Sequence, residues 1–357
     1  MLRNTGQANP LDYGIFTGFD IKYPDFTVIT PQTGLEFKVR PLLVDEAGKL
    51  RSTLTTPNKV AELINHILWD GITDKPDIIN TFDNLLKLQT LKDREALLYG
   101  LYVITFGDNM DANVVCQNCN ANRSVKIDLS KIFSINIYPG TNSVKRSYEL
   151  AKLNNPDVYD PEVESELQKE ELQKRQRKQS AKKEENTEQQ SLIDDVKPNV
   201  YNNFASVEDF INNSILSKEI AIDLDLSFSP NSKFNKIVCI LKSPTLEDEY
   251  LAINEAVLAQ KAQLDFVNET LRIKRFDAYY DDNGTTKIYK IENRIDIMRE
   301  YKKFPLSAKK KILEAYKENF DAYSIDLKAK WTCMNCNTEN NLNIDIVSEF
   351  FRLAFLS

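Results

Sequence analysis

Two motifs with the same spacing constrain this chain more than any other feature: Cys116-Gln117-Asn118-Cys119 and Cys333-Met334-Asn335-Cys336. A structural zinc ion takes four soft ligands in a tetrahedron, and two cysteines on a tight turn supply one edge of it. An asparagine follows each motif, Asn120 and Asn337, which suits a turn because asparagine tolerates left-handed backbone. One pair offers too few ligands for a closed site, whereas the two together offer four. The economical expectation is one shared zinc site held by Cys116, Cys119, Cys333 and Cys336, although Cys119 and Cys333 lie 214 residues apart. Three alternatives stand beside it: two sites completed by other ligands or subunits, small turns without metal, and thiol redox chemistry. Redox is disfavoured because a low-pKa thiol pair of the thioredoxin kind sits where a strand meets a helix, while these pairs are followed by strand patterns. Four cysteine ligands also leave no open position for catalytic water.

The motifs belong to a longer similarity. At an offset of 217, Ile127-Asp128-Leu129 aligns with Ile344-Asp345-Ile346 and Phe133 with Phe350. Upstream, Pro41 to Glu46 resembles Pro244 to Glu249 at an offset of 203, and the hairpin signal Asp282-Asn283-Gly284 could absorb the difference. This reads as a duplication. The expected organisation is an N-terminal arm (1–32), a first unit with its knuckle (33–147), a charged linker or insertion (148–200) and a second unit with its knuckle and an apolar C-terminal helix (201–357).

Composition narrows the classes further. Five cysteines in 357 residues are too few for a disulfide-stapled secreted domain, and Cys239, in an apolar run, reads as a small buried hydrophobe. Neither a signal peptide at Met1 to Gly6 nor an apolar run of about 18 residues is found, so a reducing compartment and no membrane span are expected. The net charge of −7 argues against general polyanion binding. The strongest basic run, Lys174 to Lys178 with Lys182 and Lys183, is flanked by acidic residues and reads as a solvated face.

Periodicity predicts strands at Phe26 to Thr30 and Leu35 to Leu43, and a helix opening at Asp45-Glu46. It predicts mostly helix over 58–106, with Thr81 and Thr90 as caps. Further strands are expected at Ile220 to Phe228 and Ile237 to Leu241, helical spacing over Leu246 to Ile273, and helices at Pro305 to Phe320 and Ile346 to Leu356. The fold expected is α+β, mostly helical, with two knuckle hairpins joined by a shared, zinc-ribbon-like four-cysteine site. The apolar C-terminus suits burial against the second unit or against a partner subunit, which keeps a homo-oligomer open.

Other chemistry is poorly supported. His66 is the only histidine and lies at the edge of a helical apolar face, where a structural or surface role is expected. Phosphate-loop, dinucleotide and nucleophile-elbow motifs are lacking, and the carboxylates form no paired arrangement. No enzyme, and no small-molecule substrate, is expected.

At Phe37-Lys38-Val39-Arg40-Pro41-Leu42 before an acidic helix start, at Ile104-Thr105-Phe106-Gly107-Asp108, at Cys116 to Cys119 and at Ile127-Asp128-Leu129, the chain resembles the baseplate hub and hub-assembly proteins of T-even-like contractile-tailed bacteriophages. Residues 33–135 carry the resemblance, and 233–357 looks like a diverged second copy. It implies a non-catalytic structural or assembly subunit whose partners are other baseplate or tail hub proteins, in the virion or in the host cytoplasm during assembly. The rival class is a zinc-ribbon nucleic-acid-binding or transcription accessory protein. That rival needs a basic stripe beside the knuckles, whereas Arg123, Lys126, Lys131, Lys328 and Lys330 are opposed by Asp111, Asp128, Glu339 and Asp345.

Overall fold

The computed structural model describes residues 22–53, 57–139, 206–212, 214–229, 232–258 and 264–356. The chain enters through strands β1 (Phe26–Ile29) and β2 (Glu36–Val39). Helices α1 (Val44–Thr53) and α2 (Pro57–Gly71) and a short strand β3 (Ile72–Asp74) follow. The sheet is antiparallel with β2 in the middle, and Phe37 and Val39, alternate residues of β2, are both buried. Next come α3 (Phe82–Leu88) and α4 (Leu91–Phe106), each starting at the threonine expected to cap it. The Thr81 hydroxyl accepts the Asn84 amide, and Thr90 forms a reciprocal box with Asp93. Strands β4 (Asn109–Val115) and β5 (Asn122–Asp128), the single turn α5 (Leu129–Ile132) and β6 (Phe133–Ile135) complete this half.

After α6 (Val207–Asn212), the second half runs in a similar order. It has β7 (Ile220–Asp223), β8 (Phe234–Leu241), α7 (Leu246–Leu258), α8 (Leu264–Thr270) and β9 (Ile273–Asp282). The additional strand β10 (Thr285–Ile291) folds back on β9 through Asn283 and Gly284, whose φ values of 54° and 80° make the turn that Asp-Asn-Gly predicts. Then come α9 (Arg294–Tyr301), α10 (Leu306–Tyr316) with a π-turn at Lys317–Asp321, β11 (Ile325–Thr332), β12 (Glu339–Asn343) and α11 (Ile346–Leu356). In this sheet β8 lies inside, between β7 and β9, with β10 at the edge.

The expectation of a mostly helical chain is not met. Among the described residues, twelve strands in four antiparallel sheets accompany the helices, so the fold is mixed α and β. The error has a physical origin. Strands such as β3 and β6, three residues each, are too short to display alternation. The first residues of β9 are continuous with α8 in apolar spacing, so a ten-residue strand was expected only near its end. The helical stretch 294–301 was not expected at all. The charged segment 148–200 and residues 1–21 of the arm lie outside the described residues.

Two large cores result. The first gathers Phe37, Leu50, Leu68, Leu97 and Tyr102 from the first half, together with Leu327, Ala329, Ile346, Phe350 and Ala354 from the far end of the chain. The second is built from β7 to β9, α9 and α10 around Cys239, Phe276, Ile297 and Ile312. Cys239 is fully buried, as expected, and burial pushes its thiol up. Strand β11 pairs with β12 on one side and with β6 on the other, through Ile325 with Ile135 and Leu327 with Phe133. The apolar C-terminal helix is therefore buried within this chain, against α4 and α1.

A buried polar junction holds the halves together. The Leu246 amide donates to the Gln89 carbonyl (3.0 Å) and the Leu91 amide to the Pro244 carbonyl (3.2 Å), so α4 and α7 start side by side. The Asp93 carboxylate, wholly buried, accepts the amides of Gln32 (2.8 Å), Thr33 (3.3 Å) and Thr90 (3.0 Å). Burial pushes its carboxyl up, against those donors. The Gln32 side chain donates to the Phe320 carbonyl (2.9 Å) and accepts from the Ser243 hydroxyl. Arg94 completes the junction with a two-pronged ion pair to Glu249 (2.9 Å for Nη2 to Oε1).

Candidate metal centre

Each cysteine pair sits on the loop of a β-hairpin, the first between β4 and β5, the second between β11 and β12. The two loops have the same backbone. In the first, the Cys116 amide donates to the Ala121 carbonyl (3.0 Å) and the Asn120 amide to the Cys116 carbonyl (2.9 Å). In the second, the Cys333 amide donates to Thr338 (2.9 Å) and the Asn337 amide to Cys333 (2.8 Å). Asn120 and Asn337 have φ values of 56° and 55°, the left-handed conformation expected of an asparagine in that place.

The two loops meet. All four sulfurs lie within 4.8 Å of one another. Two separations cross between the hairpins: Cys116 Sγ to Cys336 Sγ and Cys119 Sγ to Cys333 Sγ are both 3.6 Å. That is too long for a disulfide, whose sulfurs lie ~2.0 Å apart. It matches the ~3.8 Å edge of a tetrahedron with metal–sulfur bonds of ~2.3 Å. The residues present thus fit a tetrahedral, thiophilic ion. Cys116 and Cys333 are buried, Cys336 is half-buried and Cys119 is exposed, so the site opens to solvent on one side. Behind it Val114, Trp331, Val125, Ala112 and Leu342 form an apolar wall.

Hydrogen bonds differentiate the sulfurs. The amide of Cys119, and then that of Asn118, lower the Cys116 thiol below its ordinary range. The Thr338 hydroxyl, 3.2 Å from Cys336 Sγ, and the Thr338 amide pull Cys336 down to about 6. The Asn118 side chain of the first knuckle donates to Thr338 Oγ1 of the second (3.1 Å). The Ala121 amide alone would lower Cys119, but the thiols of Cys336 and Cys333, together with burial, outweigh it and push Cys119 up to about 12. A cation bound by these sulfurs would displace whatever protons they carry.

Two residues of this site have no equivalent in the first hairpin and were not anticipated from sequence. Thr338 and Asn340 stand where the first hairpin has Ala121 and Arg123. His66 takes no part: it is exposed and stacks on Phe82, ring centroids 4.3 Å apart. Among the described residues no other group of cysteine, histidine or carboxylate side chains could hold a metal. Nor is any helix among them long and apolar enough to cross a membrane.

A family model described as T4 bacteriophage base plate protein matches residues 23–213, more than half of the 357. The chain belongs to this family. Membership places it among phage baseplate proteins, in agreement with the resemblance read from its motifs. The matched region includes Cys116 and Cys119 but ends well before Cys333 and Cys336. No curated protein and no solved structure matches the chain.

Proposed function

We propose that this chain is a non-catalytic structural or assembly subunit of a contractile tail baseplate hub, with Cys116, Cys119, Cys333 and Cys336 as the ligands of one structural zinc. The observation that carries the metal reading is the pair of 3.6 Å sulfur separations between hairpins 214 residues apart. Zinc suits the site because the donor set is four thiolates on two rigid turns and leaves no position for water. Its binding free energy would become folding free energy, tying the two halves at their hairpin loops.

The proposed duplication has support in the element order of the two halves. Each has an antiparallel sheet whose inner strand, β2 or β8, leads into a helix pair, followed by two further helices, a knuckle hairpin and a closing helix. β2 and β8 even carry bulges at corresponding places, Lys38/Val39 and Ile240/Leu241. These positions are 202 apart rather than 203. The same spacing relates α1's start to α7's, and Arg40 with Glu46 to Lys242 with Asp248. The sequence match Pro41 with Pro244 was thus one residue out of structural register. The β9–β10 arm supplies the length that brings the spacing to 217 at the knuckles.

The nucleic-acid reading gains no support. Around the knuckles Lys131 pairs with Asp128 (2.8 Å), Lys330 with Glu339 (2.8 Å) and Lys328 with Asp326, which breaks up any basic stripe. Two measurements test the proposal: metal content of the purified full chain, expected to be one zinc per chain, and mass spectrometry of purified tails and assembly intermediates. A chain found in neither particle nor intermediate would defeat the baseplate reading.

A further inference from the structure

The two knuckles are alike in backbone but not in what surrounds their sulfurs. Asn340, on β12 of the second hairpin, is 3% exposed and uses its whole side chain. Its Oδ1 accepts the Gln117 amide of the first knuckle (3.0 Å). Its Nδ2 donates to the Thr338 carbonyl of its own knuckle (2.9 Å) and to Cys116 Sγ across the site (3.6 Å). A buried amide that spans two loops in this way fixes the distance between them, because each loop would otherwise leave a polar group unpaired. The first hairpin offers no equivalent. The positions 217 earlier are Ala121, which has no polar side chain, and Arg123, which is exposed.

We propose that Asn340 is the positioning residue of the metal centre, a one-sided latch by which the second knuckle holds the first pair of ligands in place. This rests on the reading of the four cysteines as a metal site. Outer-sphere hydrogen bonds orient ligands and tune their donation, and their loss typically weakens metal binding by about 10- to 100-fold. An N–H aimed at a thiolate also withdraws charge from the sulfur, which raises the energy needed to move an electron from sulfur to metal.

The test uses the full chain loaded with Zn²⁺, or with Co²⁺ as a spectroscopic probe. For Asn340→Ala, zinc release to a chromogenic chelator is expected to be about 10- to 100-fold faster than for the unmodified chain. The sulfur-to-cobalt charge-transfer bands should move to longer wavelength. Asn340→Asp keeps an oxygen for the Gln117 amide but loses the N–H toward Cys116. It should show the same band shift, and it serves as the test if the alanine variant does not fold. Asn136→Ala, which removes a hydrogen bond to the Ala322 carbonyl (2.6 Å) that involves neither knuckle, should release metal within about twofold of the unmodified rate. Unchanged release and unchanged bands in both Asn340 variants, with metal bound, would overturn this proposal alone. An unmodified chain that binds neither ion would overturn the metal reading and this inference with it. A change confined to Asn340→Ala would show that only the Gln117 bond matters, against the role assigned to the sulfur contact.

Discussion

The two halves solve one local problem with different degrees of reinforcement. In both, the inner strand of a sheet must turn into a helix, leaving buried amides at the helix start. In the first half Glu46 accepts the Leu43 amide (2.8 Å) and, among the described residues, is gripped by Arg40 alone (2.7 Å). In the second, Asp248 accepts the Thr245 amide (3.0 Å) and is held by two cations, Lys242 and Arg294 (both 2.6 Å). One acidic side chain in the first helical turn does the capping each time. The second cation arrives on α9, directly after the β9–β10 arm that the first half lacks. The segment after the arm is thus tied back into the joint instead of merely protruding from it.

The largest expected effect tests whether the halves are joined mainly by metal. If zinc binds as proposed, a chain in thousand-fold excess of zinc over its Kd should be stabilised by about 4 kcal/mol. Chelation, or Cys116→Ser with Cys119→Ser, should remove that increment in thermal unfolding. The protein side of the same joint is tested by Asp93→Ala, which strands the buried amides of Gln32, Thr33 and Thr90. At about 1 to 3 kcal/mol for an unsatisfied buried group, a loss of about 3 kcal/mol or more is expected in urea unfolding.

The capping joints themselves come next. Glu46→Ala and Asp248→Ala should each cost about 3 kcal/mol, the lower range for breaking a buried pair. Asp248→Ala should be the more damaging because it strands two cations, and equal losses would remove the distinction drawn here. Acid probes the Asp248 joint. Burial pushes Asp248 up, but Lys242 and Arg294 more than offset it and hold its carboxyl below the ordinary range. A depressed folded pKa contributes stability above the unfolded value of about 3.9 and loses it as pH falls further. Asp248→Asn should flatten that acid limb. The smallest effect is expected from shortening the β9–β10 turn around Asn283 and Gly284, where residues are exposed. A change within about 0.5 kcal/mol would mark the end of the arm as dispensable for folding.

Much of this could be read in the chain because the signals were local. A C-x-x-C followed by asparagine specifies its own turn, and Thr81, Thr90 and Asp282-Asn283-Gly284 announce their caps and hairpin through side-chain chemistry within a few residues. What escaped notice depends on distance. The pairing of β11 with β6, and the entry of Phe350 into the first core, join segments about as far apart as the knuckles. No periodicity within either segment encodes the partner. Asn340 escaped because the two hairpins differ there: comparing them highlights what they share, whereas the proposed latch lies in what only one of them has. The mostly helical expectation failed for a simpler reason, since three-residue strands are shorter than the alternation needed to recognise them.

The membership of Leu327, Ile346, Phe350 and Ala354 in the first core also has a consequence in time. During synthesis the opening half must wait, with one wall missing, until more than 200 later residues have left the ribosome. A prematurely terminated copy would expose that unfinished wall and lack two of the four thiols.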